Sequence, residues 1–347
     1  MKLLMITRKV DKDDAQMGFA FNWINKLSQK VDQLKVICLE KGNVEGLPGN
    51  VEIFSLGKEN GKNKLKEFWN FQKGALKFIK EIDGVFCHQN PEYTILIAPY
   101  AKFFKKKIVC FYGHKAVNWR VRLMHLFSSK VVTSSEGGFQ IDSPKRKIIS
   151  QGIDTDLFKP DINKEKSEKL RIIAVGRISP IKNYETLINA VSILKNKGIN
   201  LIVNIAGPIL LEKQKKYLNE LKNLIKEKGL EDQVHLLGGT IQAETIKLYQ
   251  NSDLSVNLCP TGAPDKVGFE AMACEIPVLV CNHSYVKNFG PYVDQLIFKE
   301  KDSEDLAKKI LNLHKSNKLE EIGKFLRGQV AEHHNLDNLL KGIIECF

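Results

Sequence analysis

Two cations flank a short turn near the middle of the chain, and their spacing suits the binding of phosphate. Arg177 directly follows Gly176, and Lys182 stands five residues further on, just before Asn183. A guanidinium presents a planar fork to phosphate oxygens, whereas an ammonium is a compact point charge on a flexible stem. Together the two groups suit a diphosphate better than a single phosphate. The alternative is that both are ordinary surface cations on a loop.

The segments on either side of this turn predict a buried strand and a helix. Residues 170–175 are almost continuously apolar, as in a strand that is covered on both faces of a parallel sheet. Residues 183–197 repeat apolar side chains at helical spacing, and Gly198 follows as a stop signal. Such a turn lies outside the carboxyl end of the strand, where the unpaired N–H groups of a helix start favour anions.

A second group of candidate residues follows another strand-like run, residues 253–258. The loop after this run is rich in Pro and Gly, and a helix is predicted from about Val267. Glu270 is expected in the first helical turn, where its carboxylate either accepts hydrogen bonds from the hydroxyls of a ribose or only complements the helix dipole. Gly238 and Gly239, at another strand end, either let the backbone approach a ligand closely or simply form a turn.

The order of apolar runs predicts an α/β fold with two doubly wound domains. Strand-like runs that alternate with amphipathic segments are typical of parallel sheets with helices on both faces. The predicted strands of the first series are 2–7, 34–39, 51–56, 84–87, 108–112 and 130–133. Those of the second are 170–175, 200–206, 233–237, 253–258 and 277–281, with helices at 183–197, 211–228, 242–251 and 267–274. The domains are expected at 1–165 and 166–324, and a last helix, about 325–347, is expected to cross back to the first domain.

Composition excludes several classes of protein. The 347 residues are 43% hydrophobic and 27% charged, which is enough for two domains with a large core. No apolar run reaches the ~18 residues of a membrane span, and the first residues are expected to form a strand rather than a signal peptide. Seven cysteines without CxxC spacing argue against a disulfide framework or a zinc site, so a reduced, cytoplasmic location is expected.

Excess positive charge is concentrated in the first half of the chain. Residues 1–160 contain 27 Lys and Arg against 16 Asp and Glu, which accounts for +11 of the net charge of +13. Such a half could face nucleic acid, an anionic membrane surface or an acidic acceptor. Residues 102–107 and the nearby Trp119, Arg120 and Arg122 mix aromatic rings with cations, as a membrane-surface patch would. A solubilising run before a strand is the alternative, and nucleic acid is not expected because no binding motif for it is present.

Three motifs in order resemble family 4 glycosyltransferases of the GT-B fold. They are Gly176-Arg177 with Lys182-Asn183, the run from Gly152 to Pro160, and Glu270-Ala271-Met272-Ala273-Cys274 before Pro277-Val278. The resemblance implies transfer of a sugar from a nucleotide diphosphate with retention of configuration, without a metal or other cofactor, in a cleft between two Rossmann-like domains. It further implies a glycan or lipid-linked acceptor. Together with the cysteines and the basic first half, it leads us to expect a cytoplasmic protein, peripheral at the inner face of the cell membrane.

The same resemblance implies roles for individual residues. Arg177 and Lys182 would hold the diphosphate and Glu270 the ribose, and the two cations are candidate catalytic residues together with His114. Further contacts to the donor are expected from Gly176, Gly238, Gly239, Asp265, Lys266, Val267 and Gly268, and from Gly18 in a looser match to the family's glycine loop.

The sequence departs from the family pattern at one important position. Many members carry a glutamate that contacts the donor sugar where this chain has Gly262, and here the loop offers Asp265 and Lys266 instead. His114 follows a strand where the family often has a histidine that faces the acceptor, with His88 as the second choice, although a lone histidine is often structural. A catalytically inactive protein that binds a nucleotide sugar or a glycan is therefore the alternative function.

Two Asp-x-Asp triplets, residues 154–156 and 11–13, fit a metal-binding pattern. The first triplet falls inside the motif before the domain boundary, and the second lies beside the cations Lys9 and Lys12. No metal site is therefore expected at either triplet.

Overall fold

Parallel strands form two separate sheets in the computed structural model, which describes residues 1–61 and 63–347. The strands are β1 (Lys2–Val10), β2 (Gln33–Lys41), β3 (Val51–Ser55), β4 (Gly84–His88), β5 (Lys107–Phe111), β6 (Lys130–Thr133), β7 (Arg146–Ile148), β8 (Leu170–Val175), β9 (Leu201–Ala206), β10 (Val234–Gly238), β11 (Leu254–Asn257) and β12 (Val278–Val280). Their order is β3-β2-β1-β4-β5-β6-β7 in the first sheet and β10-β9-β8-β11-β12 in the second. In both sheets the order reverses beside the first strand, which defines a doubly wound topology.

Helices cover both faces of the sheets. They are α1 (Gly18–Ser28), α2 (Lys64–Phe78), α3 (Pro91–Phe103), α4 (Trp119–Phe127), α5 (Tyr184–Asn196), α6 (Glu212–Glu227), α7 (Gln242–Gln250), α8 (Lys266–Ala273), α9 (Val286–Phe289), α10 (Val293–Leu296), α11 (Ser303–Ser316), α12 (Leu319–His333) and α13 (Leu336–Ile344). Buried apolar side chains lie between each sheet and its helices, so that strands such as β8 are apolar along most of their length. Within the ranges that the structure describes, no helix is both long enough and apolar enough to cross a bilayer.

The predicted strands and the predicted helices of the second series are confirmed to within three residues at each end. The strand β7 was not predicted, because Arg146-Lys147-Ile148 is too short and too polar to show as an apolar run. None of the seven cysteines, all of which lie in the described ranges, forms a disulfide.

The chain folds as two compact units, and the first boundary lies after residue 152 rather than after residue 165 as predicted. The backbone of Ile153 pairs with that of Asn335 in an isolated bridge. Arg327 donates hydrogen bonds to the carbonyl oxygens of Phe158 at 3.1 Å and Thr155 at 3.4 Å. These bonds hold the segment before the charged linker in the second unit, which comprises residues 153–335.

The predicted last helix, about 325–347, is divided between the units. The helix α12 belongs to the second unit and α13 to the first, so the chain returns after residue 335 and not near 325. Close packing keeps α12 in the second unit, because a Cβ added to Gly323 would lie 2.0 Å from the carbonyl oxygen of Glu275. The apolar side of α13 is buried in the first unit in a cluster that includes Trp23 and Leu339.

Gly323 and Gly328, both on α12, allow a matched test of this packing. Replacing an exposed helical glycine by alanine stabilises a protein by about 1 kcal/mol, and Gly328 is exposed with open space around it. Gly328→Ala should therefore raise the free energy of unfolding by up to about 1 kcal/mol. Gly323→Ala should lower it by about 1–3 kcal/mol, because the new methyl group meets backbone that cannot move freely. Urea unfolding followed by circular dichroism measures both changes, and an equal gain in the two variants would contradict the close packing.

Candidate active site

The candidate residues of the second unit gather at the carboxyl edge of its sheet. The strand β8 ends just before Gly176, β9 ends just before Gly207, and β10 ends at Gly238. Backbone hydrogen bonds join these ends, because the N–H of Gly176 donates to Ala206 at 2.9 Å and the N–H of Gly207 donates to Gly238 at 2.7 Å. The predicted positions therefore lie where an open parallel sheet binds its ligands.

The turn after β8 depends on residues that tolerate crowding or an unusual backbone conformation. A Cβ on Gly207 would lie 1.9 Å from the carbonyl oxygen of Gly176, so a side chain does not fit there. Pro180–Lys182 form a single 3₁₀ turn, and Asn183 follows with a φ of 46°, a left-handed conformation that asparagine tolerates better than most residues. This geometry places the side chain of Lys182 in the interior, immediately before α5 begins.

Lys182 is buried, and its ammonium contacts a carboxylate. The residue is 9% exposed, its Nζ pairs with Oδ2 of Asp265, and Nζ lies 3.6 Å from Sγ of Cys259. Burial by itself lowers the pKa of the ammonium, but attraction to Asp265 and Cys259 outweighs burial and holds the pKa above its usual value. Lys182 is thus a fixed charge, and the interpretation as an ordinary surface cation is wrong for this residue.

Asp265 is the residue that links the turn after β8 to the start of α8. Its carboxylate lies 3.4 Å from Nδ2 of Asn257, and its backbone carbonyl accepts a hydrogen bond from the hydroxyl of Tyr285. It occupies the position before α8, but its side chain accepts no hydrogen bond from that helix. This chain has Gly262 where many family members have a glutamate, and Asp265 supplies a carboxylate in the same loop. That carboxylate contacts Lys182.

Tyr184 supports the turn and was not identified from the sequence. Its hydroxyl donates a hydrogen bond to the carbonyl oxygen of Gly176 at 2.7 Å, and its backbone N–H donates to the hydroxyl of Tyr217 at 2.9 Å. Burial raises the pKa of Tyr184, so the hydroxyl stays protonated and remains a donor. An aromatic residue directly after Asn183 was the available signal, but its reach back to Gly176 depends on the 3₁₀ turn.

A second acid–base pair lies within α8. The helix begins at Lys266, one residue earlier than predicted, so Glu270 is in the second helical turn and not in the first. Nζ of Lys266 and Oε1 of Glu270 are 3.9 Å apart. Burial lowers the pKa of Lys266 and raises the pKa of Glu270, and their mutual attraction offsets each shift only in part. Because the helix dipole acts mainly within the first turn, a purely dipolar role for Glu270 is disfavoured.

Backbone groups of Val267 and Gly268, at the start of α8, already form hydrogen bonds within the second unit. The N–H of Gly268, one of the expected donor contacts, donates to the carbonyl oxygen of Asp265 at 3.2 Å. A Cβ on Gly268 would lie 2.5 Å from the hydroxyl oxygen of Tyr285, so the glycine is needed for packing. The carbonyl oxygen of Val267 accepts a hydrogen bond from Tyr249 at 2.9 Å.

Arg177, Gly238 and Gly239 are exposed at the same edge of the sheet. Gly238 has a φ of +77°, which favours glycine, and a Cβ on Gly239 would lie 3.2 Å from Cβ of Pro208. The second unit therefore combines one buried cation, one exposed cation and an accessible stretch of backbone along one edge.

The remaining candidates, His114, His88 and Gly18, belong to the first unit. His114 is exposed in the loop after β5. His88 is buried at the end of β4, where its Nδ1 lies 3.0 Å from Oγ1 of Thr7 and its ring centroid lies 4.9 Å from that of Trp23. Gly18 is buried at the start of α1. His88 is therefore a packed core residue, and His114 is the accessible histidine of the two.

Both Asp-x-Asp triplets have local structural contacts. Oδ1 of Asp154 accepts hydrogen bonds from the backbone N–H groups of Asp156 at 3.2 Å and Leu157 at 3.4 Å. Oδ2 of Asp11 pairs with Nζ of Lys9 at 3.1 Å. In the part of the chain that the structure describes, no three His, Cys, Asp or Glu side chains lie close enough together to hold a metal ion.

Solved structures of glycosyltransferases share this architecture along nearly the whole chain. Anabaena Alr3699/HepE in complex with UDP and glucose superimposes with a TM-score of 0.78 and 18% identity, covering 99% of this chain and 98% of that one. A glycosyltransferase from Rickettsia africae ESF-5 gives a TM-score of 0.79 and 18% identity, covering 99% and 97%. The predicted fold class is therefore confirmed, and the protein has the GT-B fold with two parallel-sheet α/β units.

The second half of the chain is similar to one particular glycosyltransferase family. Residues 156–324 match the family model described as glycosyl transferases group 1. This segment contains the turn with Arg177 and Lys182 and the whole of α8. The second half of the chain is therefore similar to the glycosyltransferase family that the sequence motifs indicated.

Curated relatives align with part of the chain. Mannosylfructose-phosphate synthase of Agrobacterium fabrum is 28% identical over 151 residues, which cover 43% of this chain and 33% of the relative. Alpha-monoglucosyldiacylglycerol synthase of Streptococcus pneumoniae is 25% identical over 174 residues, covering 46% and 37%. The amylovoran biosynthesis glycosyltransferase AmsK of Erwinia amylovora is 30% identical over 176 residues, covering 49% and 42%. The alignments thus span between a third and about two fifths of the length of these relatives.

Removing one partner of the Lys182–Asp265 pair should destabilise the second unit, whereas replacing both should not. Breaking a fully buried pair costs about 3–5 kcal/mol, and because the Asp265 side chain is 26% exposed we expect a loss of about 1–3 kcal/mol for Asp265→Ala. Lys182→Met should act in the same direction. The double variant Lys182→Met/Asp265→Leu should recover most of the loss in chemical denaturation, and strictly additive losses would contradict a direct pair.

Proposed function

We propose that this chain transfers a sugar from a nucleotide diphosphate to a glycan or lipid-linked acceptor, with retention of configuration and without a metal ion or other cofactor. The observation that carries the proposal is the pair of cations at the carboxyl edge of the second sheet, Lys182 held in the interior and Arg177 exposed, within the segment that matches group 1 glycosyltransferases. A diphosphate presents two anionic groups to these two cations. The UDP complexes of a protein with the same fold support a nucleotide donor.

In this proposal the two cations supply the electrostatic part of catalysis. When the bond between the sugar C1 and the diphosphate oxygen breaks, the electron pair stays on that oxygen and the sugar becomes oxocarbenium-like. Arg177 and Lys182 stabilise the negative charge that grows on the leaving diphosphate, and preorganised charges of this kind are commonly the largest catalytic term. The acceptor hydroxyl forms the new bond to C1 through its oxygen and loses its proton. We assign no protein nucleophile.

The Asp265 carboxylate must move away from Lys182 before the ammonium can pair fully with a phosphate. We therefore propose an exchange of anions, in which the diphosphate replaces the carboxylate on Nζ and Asp265 turns to the hydroxyls of the donor sugar. Two observations support this role. Gly262 carries no side chain that could hold the sugar, and the Asp265 side chain is 26% exposed, so it is accessible from solvent. An ionised carboxylate accepts hydrogen bonds only, which suits sugar hydroxyls.

The other donor contacts follow from the position of α8 and the strand ends. Glu270 would accept hydrogen bonds from the ribose hydroxyls, and Lys266, whose Nζ lies 3.9 Å from Oε1 of Glu270, would favour the charged form of that carboxylate. The exposed backbone of Gly238 and Gly239 would lie near the base. We give Gly268 no direct phosphate contact in this scheme, because its N–H is already engaged with Asp265.

The acceptor side of the proposal rests on the first unit and on the relatives. His114, exposed after β5, would contact the acceptor or take its proton, whereas His88 is too deeply buried for that role. The curated relatives include a mannosylfructose-phosphate synthase and an alpha-monoglucosyldiacylglycerol synthase, which supports both a carbohydrate and a lipid-linked acceptor as candidates. We further propose that the protein works in the cytoplasm, where its seven free cysteines stay reduced.

Nucleotide diphosphates should stabilise the protein against heat, and Arg177→Ala should reduce that effect. A ligand at about 100 times its Kd adds about 2.7 kcal/mol to the free energy of unfolding. UDP, GDP and ADP are compared by thermal shift, and their sugars are then tested for transfer and hydrolysis. Arg177→Ala should lower kcat/KM by about 10- to 100-fold, the size expected for one lost hydrogen-bonded charge. Lys226→Ala, which removes an exposed cation of α6, is the matched control.

The outcomes of this experiment separate the candidate functions. Unchanged turnover in Arg177→Ala would contradict the role of the exposed cation. Binding without turnover for every sugar and acceptor would instead favour the alternative, an inactive protein that binds nucleotide sugars or glycans.

Metal chelation should leave turnover unchanged if the two cations alone neutralise the diphosphate. Activity is measured after dialysis against EDTA and again after Mg²⁺ or Mn²⁺ is added back. A loss of most activity that only the added metal restores would show that the leaving group needs a divalent ion.

A further inference from the structure

The helix α2 carries two apolar rows, and only one of them packs against the sheet. The buried row consists of Phe71, Ala75 and Phe78. A second row, which we call the outer row, is exposed to solvent and consists of Leu65 (74%), Phe68 (44%), Trp69 (63%) and Leu76 (56%). At 100° per residue the outer row occupies roughly 100° of the helix surface. A helix of a protein that contacts only water would not be expected to expose such a row.

Lysines border the outer row along one side of α2. Lys66, Lys73 and Lys77 are exposed and fall within about 40° of one another on the helix surface, next to the outer row. Lys77 also pairs with Glu52 at 2.6 Å. Glu67, the acidic residue of α2, lies on the other side of the helix and is half-buried. The outer side of α2 therefore combines large apolar side chains with positive charge.

The same surface continues over α3 and α4. The hydroxyl of Tyr100 on α3 donates a hydrogen bond to Gln72 on α2, and Arg120 on α4 pairs with Glu92 on α3 at 2.9 Å. These two helices add further exposed apolar side chains, which are Phe103 (79%), Trp119 (63%), Leu126 (63%) and Phe127 (42%). We call the outer row together with these four residues the outer face of the first unit.

Positive charge is concentrated along the same stretch of chain. Residues 64–130 contain 13 Lys and Arg against 4 Asp and Glu, a net charge of +9 out of +13 for the whole chain. Lys102, Lys105 and Arg122 are exposed close to the apolar side chains of α3 and α4. Glu92 on α3 is acidic, but its carboxylate already pairs with Arg120.

We propose that the outer face docks on an anionic lipid surface, with the apolar side chains in the interfacial region and the lysines and arginines against the headgroups. Tryptophan and phenylalanine are favoured at a membrane interface, and cations near the surface are attracted by anionic lipids. A neutral apolar partner leaves the charge unexplained, and a nucleic acid leaves the exposed aliphatic Leu65 and Leu76 unexplained. The donor-site residues lie in the other unit, so docking and sugar transfer can fail independently.

Vesicle binding measures the docking directly. The protein is sedimented with vesicles of phosphatidylcholine alone and of phosphatidylcholine with an equal amount of phosphatidylglycerol. We expect binding to the mixed vesicles to be at least about 10-fold tighter and to weaken as salt is raised. Trp23 is buried, whereas Trp69 and Trp119 are each 63% exposed, so the fluorescence of the exposed pair should shift to shorter wavelength on binding. Trp119→Phe leaves Trp69 as the exposed reporter.

Matched variants separate the apolar and the charged contributions. Phe68→Ser/Trp69→Ser and Lys66→Glu/Lys73→Glu should each weaken binding to the mixed vesicles by about 10-fold or more. The circular dichroism spectrum of each variant should remain that of the folded protein, because none of these side chains is buried in the core. The controls are Ile162→Ser, at a residue 93% exposed in the second unit, and Lys222→Glu/Lys226→Glu on α6, which should bind as the unaltered protein does.

Several results would overturn the proposal. Absence of binding to the mixed vesicles, or equal binding to both vesicle types, would remove the anionic surface as the partner. If the variants and the controls weaken vesicle binding equally, the outer face is not the surface that contacts the lipid. Self-association in light scattering that Phe68→Ser/Trp69→Ser abolishes would assign the surface to a second copy of the chain. Tighter binding to an oligonucleotide than to vesicles would assign it to nucleic acid.

Discussion

Lys182 keeps its positive charge in the interior of the second unit because the carboxylate of Asp265 lies against it, and the geometry of the candidate site depends on this contact. The two residues are 83 positions apart, and their pairing joins the turn after β8 to the loop before α8. The turn itself is held by Tyr184, which bonds to the backbone of Gly176, and by the absence of a side chain at Gly207. A cation placed in this way has lost most of its conformational freedom before a ligand arrives, and this preorganisation is what electrostatic catalysis requires.

Much of the fold could be predicted because strands buried on both faces of a parallel sheet are apolar along most of their length. The runs at 170–175 and 200–206 stand out for this reason, and the glycines and cations that follow such runs meet at one edge of the sheet. The pairing of Lys182 with Asp265 could not be predicted, because periodicity describes each element alone and not the side-chain contacts between loops. The same limit applies to Tyr184, whose role depends on a single turn of 3₁₀ helix.

The sequence predictions differ from the structure at the boundaries of the two units and on the surface, and these differences have related physical causes. Charge and low hydrophobicity after residue 160 indicated a linker, but the hydrogen bonds of Arg327 to Thr155 and Phe158 fix the preceding segment in the second unit. On α2, apolar residues occur on two sides of the helix, so the sequence alone does not tell which side faces the sheet. The charges of residues 102–107 are contiguous in the sequence, so the sequence alone indicates a charged patch there. The lysines of α2 are spaced along the chain and come together only when the helix forms.

Asp265 also limits which anions can bind at Lys182. An internal counter-ion leaves little net charge at Nζ, so a small monovalent anion from solution gains almost nothing by displacing a carboxylate that is already in place. A ligand gains more if it carries several negative groups and reaches Arg177 at the same time. Pairing with Asp265 therefore favours a ligand with several negative groups at Lys182 over abundant monovalent ions such as chloride.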